Sequence, residues 1–288
     1  MQNLKFADFA ISIANGSSDF NVEIPTVYQQ FFTKEAANIF LSVDWTDLSE
    51  FALPEPVFYS GGIWSLHKVA DKWVIPVCFP LGSEPVKVGR FDEDFRRGEL
   101  LINTHKQNLA PIFPLGYPLD EVLIINLLAK NGGIELHACA MKIEGLNIGL
   151  IFAGVSGAGK STITRLWMNQ PGVTILSDDR IIVRKKDDGY MIYGTPWHGD
   201  ALGASSQSAK IDRIYILKQA PVNQISELKA IEAASKLFIR SFPTFWDRSG
   251  MQNSLKFLDE LTSSVPCYQF EFLPDQSAID FILQELSK

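Results

Sequence analysis

Two patterns of apolar and polar positions divide the chain. Up to about residue 115 the apolar residues come in short runs punctuated by Gly and Pro, which predicts a unit built mostly of strands. Phe6 to Ile13 alternates apolar with small or polar residues, and VFYSGGIWSL (57–66) reads as two strands about a two-residue turn at Gly61-Gly62. KWVIPVCF and GELLIN add further strands, while the charged run RFDEDFRRGE (90–99) reads as a solvated loop or sheet edge rather than a binding surface. Pro111 to Pro114 breaks the pattern and sets a boundary near residue 115.

Beyond that point helical and strand periods mix. PLDEVLIINLLAKNGG (118–133) opens on a proline and acidic residues, carries an apolar stripe and stops at Gly132-Gly133, so it predicts a helix. IELHACAMKI and IGLIFAG are strands joined by the turn EGLN, and GVTILSDD is a strand ending in two aspartates. RIIVRKKDDGYMIYG reads as a hairpin with Asp188-Gly189 at its tip, and RIYILK as another strand. Helices are expected over 230–241 and 250–262, and again after Pro274-Asp275, with Asp275 as N-cap. The prediction is an α/β chain: a smaller β-rich N-terminal domain (1–115), then a domain with a mixed sheet (116–288).

Composition narrows the function class. The 288 residues are 46% hydrophobic and 20% charged, the profile of a globular domain or two. A formal charge of −7 argues against a general nucleic-acid or anionic-membrane surface. No window reaches 18 apolar residues and the start lacks a basic n-region, so neither a membrane span nor a secretory leader is expected. Cys78, Cys139 and Cys267 are odd in number and far apart, which suits a reducing cytoplasm and offers no paired zinc ligands.

The chemistry concentrates at GVSGAGKS. Gly154, Gly159, Lys160 and Ser161 fit G-x-x-x-x-G-K-[ST], the Walker A pattern, between an apolar strand and a helix. Chance produces this pattern in roughly one chain in a hundred of this length, before the strand and helix are required. Such glycines let the backbone wrap with N–H groups inward, the helix N-terminus favours an anion, the lysine reaches the outer phosphates, and the hydroxyl serves Mg²⁺. Asp178 and Asp179 close the next strand. Consecutive strand residues point to opposite sides, so one can serve a metal and the other accept a proton; the plainer alternative is one functional aspartate and a turn-forming neighbour. Alternation puts Glu135, His137, Cys139 and Met141 on one face of their strand. A lone strand histidine is ordinarily a packed core residue, but this strand should pair with the one feeding the glycine loop. In YGTPWHGD (193–200), Pro196 stiffens a loop that would present Thr195, Trp197, His198 and Asp200 at an acceptor pocket, with Trp197 as an apolar wall; packing of Trp197 beneath the hairpin is the competing reading. Arg180, Arg213, Arg240 and Arg248 are candidates for added positive charge.

LHACAMKIEGLNIGLIFAGVSGAGKST followed by LSDDR resembles the HPr kinase/phosphorylase family, of the HPr serine kinase C-terminal domain type, across residues 134 to 180. That family shares its P-loop fold with the ATP-dependent phosphoenolpyruvate carboxykinases. The resemblance implies an ATP- and Mg²⁺-dependent kinase that transfers the γ-phosphoryl group to a serine or similar hydroxyl of a protein, peptide or small molecule. Gly154, Ser156, Gly157, Ala158, Gly159, Lys160, Ser161 and Thr162 would hold ATP, and Ser161 with Asp179 the metal. Asp178 would be the base and His137 its tuning partner, although the sequence does not fix the order of the two aspartates. Relatives of this type often assemble into homo-oligomers. The E-[IV]-R-G-x-G stretch linked to the phosphorylase reaction does not occur, and Thr162 stands where the bifunctional enzymes usually carry Glu. YGTPWHGD instead resembles a loop of HPr-kinase-like proteins found in peptide-modification settings. The rival readings are an ATP-binding regulatory or assembly module without transfer, and carboxykinase chemistry on a small acid, which would call for further metal ligands and a substrate-binding arginine set.

Overall fold

The computed structural model describes residues 3–16, 22–80, 82–105 and 112–287. They fall into two compact units: 1–130 with 244–248, and 131–243 with 249–288. The boundary expected near 115 thus lies within the first unit, and Pro111, one of the residues that suggested it, lies outside the described residues.

The first unit carries strands β1 (Asn3–Phe6), β2 (Phe9–Asn15), β3 (Phe32–Thr33), β4 (Ile39–Thr46), β5 (Phe58–Tyr59), β6 (Ser65–Val69), β7 (Lys72–Cys78), β8 (Pro85–Phe91) and β9 (Arg97–Asn103). The one-turn helix α1 (Thr26–Gln29) precedes β3, and α2 (Leu119–Asn131) ends at the division. The nine strands form one mixed sheet in the order β3-β1-β2-β4-β9-β8-β7-β6-β5. In β4, Ile39, Leu41 and Val43 are buried while Phe40 and Asp44 are exposed, the alternation of a sheet with one covered face. Helix α2 is buried from Leu119 to Ala129, as a core helix must be when no polar stripe interrupts it.

Two local readings need correction. The alternating run Phe6–Ile13 is not one strand: Ala7, at φ +51°, and Asp8 turn the chain, and Phe6 pairs with Phe9. Strands β5 and β6 pair as Phe58↔Leu66 and Tyr59↔Ser65, so residues 60–64 form a longer turn than the expected Gly61-Gly62 pair, organised by Ser60 Oγ. The charged run 90–99 is the tip of the β8–β9 hairpin, where Asp92 Oδ1 accepts the Arg96 N–H at 2.8 Å. Beneath the sheet, Lys87 is buried; it donates to the Gly116 carbonyl beside Asp120, and burial pushes its amine down to about 8.

The second unit contains β10 (Gly133–Ile143), β11 (Ile148–Ala153), α3 (Lys160–Met168), β12 (Val173–Ser177), β13 (Arg180–Lys186), β14 (Gly189–Tyr193), β15 (Ser208–Gln219), β16 (Gln224–Glu227), α4 (Ala230–Phe238), α5 (Arg248–Ser264), β17 (Cys267–Phe272) and α6 (Ser277–Leu286). Its sheet is also mixed, in the order β11-β10-β13-β14-β15-β17-β16, with β12 on β10. Because β11 pairs with β15 as well, five strands pair around a closed circuit. One face buries Ile134, Leu136, Ala138 and Ala140 with residues of α4 and α5; the other buries Cys139, Met141, Phe152 and Tyr215 with α3 and α6. That is the face alternation expected for β10. Helix α6 starts two residues past Asp275, whose Oδ1 accepts the Ser277 N–H at 2.9 Å. Among the described residues no helix is long and apolar enough to cross a membrane.

Candidate functional site

Both edges of β10 change partner at residues 137–138. On one edge β13 pairs with Gly133 to His137, then Ala138 N–H donates to Asp179 O, then β12 takes over from Ala140. On the other, His137 N–H donates to Arg240 O, and β11 begins its pairing at Ala138↔Ala153. The chain therefore leaves the sheet at Gly154 on one side and at Asp178-Asp179 on the other, at the same level.

From Gly154 the backbone curls to the N-terminus of α3. Gly159 is its N-cap at φ +100°, a conformation that favours glycine, and a Cβ there would lie 2.6 Å from Phe272 Cζ. The curl is anchored from below: Ile163 and Trp167 enter the core, and the Lys160 carbonyl accepts Thr164 Oγ1 at 3.0 Å and the Cys139 thiol at 3.7 Å. Cys139 is buried, and burial pushes its thiol up to about 12, so it is an inert packing group. The first-turn amides of α3 have no intrahelical acceptors, which makes this end a seat for an anion. Lys160 folds back, its Nζ donating to Gly154 O at 2.9 Å and Val155 O at 3.4 Å. Burial lowers its pKa and the charge of Arg240 adds to the effect, while Asp179 opposes both. Two cations near one another, one of them with a buried Nε that makes no hydrogen bond, suit an anionic guest. Of the other arginines, Arg213 bonds Asp212 and the Glu285 carbonyl.

The two aspartates point opposite ways. Asp178, expected as the base, is 2% exposed; Oδ1 accepts the Gly199 N–H at 2.9 Å and Oδ2 the Ala201 N–H at 2.7 Å. Both oxygens hold the following loop, and the residue does not line the cleft. Asp179 does line it. Its Oδ1 lies 3.1 Å from His137 Nε2 and its Oδ2 3.4 Å from Arg180 Nε. Arg180 in turn stacks over Phe242 and lies 3.8 Å from buried Glu135, so the guanidinium sits between two carboxylates, with the imidazole of His137 on the far side of Asp179.

The TPWHGD loop serves mainly as structure. Gly194 is obligatory by space, since a Cβ would stand 1.9 Å from Ser205 O. Thr195 is fully buried and donates to Arg180 O; Trp197 is 9% exposed and is not among the residues that line the cleft. His198 is exposed outside the lining residues, with Nδ1 3.1 Å from Gly199 O. Only Gly199 and Asp200 reach the cleft.

The cleft has a volume of about 420 Å³ and is lined by Ser156, Gly157, Gly159, Lys160, Ser161 and Thr162 from the curl, by His137 and Asp179, by Gly199 and Asp200, and by Gln219. Gln219, at the end of β15 with Nε2 3.5 Å from Gly157 O, carries no sequence pattern that would single it out. A hollow of about 490 Å³ over the first unit's sheet is larger but gathers no comparable chemistry; its charged rim of Lys72, Arg90, Asp92, Arg97 and Glu99 is that of a solvated sheet face. No protein-family model matches the chain and no curated protein matches it at a significant level.

Proposed function

We propose that the chain is a Mg²⁺- and ATP-dependent phosphotransferase of the HPr kinase-like type, acting on a hydroxyl acceptor. The observation that carries this reading is the meeting of the glycine curl, Lys160, Ser161, His137, Asp179 and Asp200 around one cleft. The loop and α3 amides cradle the phosphates, and Lys160 exchanges the Gly154 and Val155 carbonyls for phosphate oxygens. Arg240, outside the lining but near enough for its charge to bear on Lys160, adds positive charge.

With Asp178 committed to the loop, Asp179 takes the catalytic role: it orients the acceptor hydroxyl and receives its proton, held in place by His137 and Arg180. A guanidinium beside Asp179 disfavours a second cation there. The hydroxyl of Ser161 and the carboxylate of Asp200 are instead the hard oxygen donors that would hold Mg²⁺, whose chemistry is to neutralise phosphate charge.

A second reading, an ATP-binding module without transfer, draws on the sequestration of Asp178, which leaves one aspartate of the pair at the cleft. Incubation with γ-labelled ATP, Mg²⁺ and panels of hydroxyl-bearing peptides and metabolites separates the two. Transfer that Asp179→Asn abolishes while nucleotide binding persists supports the kinase. Binding without transfer to any acceptor supports the module, and absence of ATP binding, or binding indifferent to Lys160→Met, removes both.

A further inference from the structure

The first unit holds its own cluster of ligand-type side chains. Strands β4 and β9 run parallel and β8 antiparallel to β9, so the ends of β4 and β9 and the start of β8 share one end of the sheet. Asp47 follows β4, Glu84 precedes β8 and His105 follows β9. One ligand atom from each lies within 4.8 Å of the others, with His105 Nε2 3.4 Å from Asp47 Oδ2. A histidine–aspartate ion pair would need one carboxylate. Glu84 brings a second carboxylate to the same point, so one imidazole and two carboxylates face a shared space.

The ligands are aimed from behind by a buried residue. Asn103, fully buried at the end of β9, donates its side-chain amide to Glu84 Oε1 at 2.6 Å and to Pro85 O at 2.8 Å. Its Oδ1 accepts the His105 N–H at 3.0 Å. One buried side chain thus orients one ligand and fixes the backbone of another, the support that metal sites commonly have. Asp47 Oδ1 accepts the Ser49 N–H at 2.8 Å, which turns Oδ2 to the imidazole; the bonds from Ser49 hold this carboxyl below its ordinary range.

We propose that Asp47, Glu84 and His105 form a site for a divalent cation of the zinc class, with water completing the coordination. One imidazole nitrogen and two carboxylate oxygens make a borderline donor set that suits zinc and its late first-row neighbours, whereas Mg²⁺ takes oxygens alone. The side chains of His105 and Asp47 are 59% and 52% exposed, so the ion exchanges with solvent and ties the ends of three strands from outside.

The test is calorimetric titration of the full chain with Zn²⁺ in excess Mg²⁺, beside His105→Ala and Asp47→Asn, both exposed enough to leave folding intact. The expected result is one saturable site weakened by about tenfold or more in each variant, the lower bound being what loss of a merely supporting residue costs. No saturable binding by the wild type, or an isotherm that His105→Ala leaves unchanged, overturns the proposal.

Discussion

Asp178→Asn separates a loop anchor from a proton acceptor. The carboxylate is 2% exposed and gives one oxygen to each of two amides, Gly199 at 2.9 Å and Ala201 at 2.7 Å. An asparagine offers one oxygen and one NH₂, so one loop N–H must face another donor. A hydrogen bond to a charged group contributes about 1.5–3 kcal/mol, and a buried donor left facing another adds to the cost. The loss should therefore be about 2–4 kcal/mol, which lowers the melting temperature of a unit of this size by roughly 5–10 °C. Thermal unfolding of the full chain reads this directly. Because the loop delivers Gly199 and Asp200 to the cleft, affinity for a non-hydrolysable ATP analogue should fall with it. A proton acceptor predicts the opposite pattern: unchanged melting and unchanged nucleotide affinity, with transfer lost. An Asp178→Asn protein that melts like the wild type refutes the anchoring role.

Two further perturbations test the curl and the first unit. Gly159→Ala imposes a left-handed backbone on alanine, about 1–2 kcal/mol, and pushes its Cβ into Phe272; nucleotide affinity measured by calorimetry should drop, and an undiminished affinity counts against the curl as phosphate seat. Lys87 titrates near 8 when folded against 10.5 unfolded, so between those values the unfolded chain binds the extra proton and stability rises with pH, by about 3 kcal/mol for the shift of roughly 2.5 units. That gain is absent below pH 8 and complete above pH 10.5; denaturant unfolding of Lys87→Met across this range should show a flatter pH dependence than the wild type, and parallel curves would rule the account out.

What could be read in advance followed backbone chemistry. The curl was legible because residues 154–161 gather three glycines between an apolar strand and a helix. Face alternation along β10 was legible for the same reason, since period two sends Cys139 and Met141 one way and Ala138 and Ala140 the other. The turn at Ala7-Asp8 was not legible: it uses alanine at positive φ where glycine or asparagine would have announced it. The parallel pairings β2–β4 and β4–β9 were equally hidden, because partners distant in sequence leave no local trace. The role of Asp178 depends on amides of residues 199 and 201, more than twenty positions away, and nothing in LSDDR specifies them.

The position of the cleft follows from how β10 is shared. An eleven-residue strand borders shorter partners on both edges, and on both the changeover falls at His137 and Ala138. Where two strands successively use one edge, the residues between them are released from the ladder; here those are Asp178 and Asp179, whose side chains must then diverge, one into the returning loop and one over the sheet end. On the other edge the release falls at Gly154, so the glycine curl begins at the level where the carboxylate emerges. His137 pairs with Arg180, which holds its imidazole beside Asp179 without any dedicated loop. Precision at this site is therefore inherited from strand register, and a substitution that slips β13 against β10 by one residue would turn His137 and Asp179 apart while leaving the curl itself unchanged.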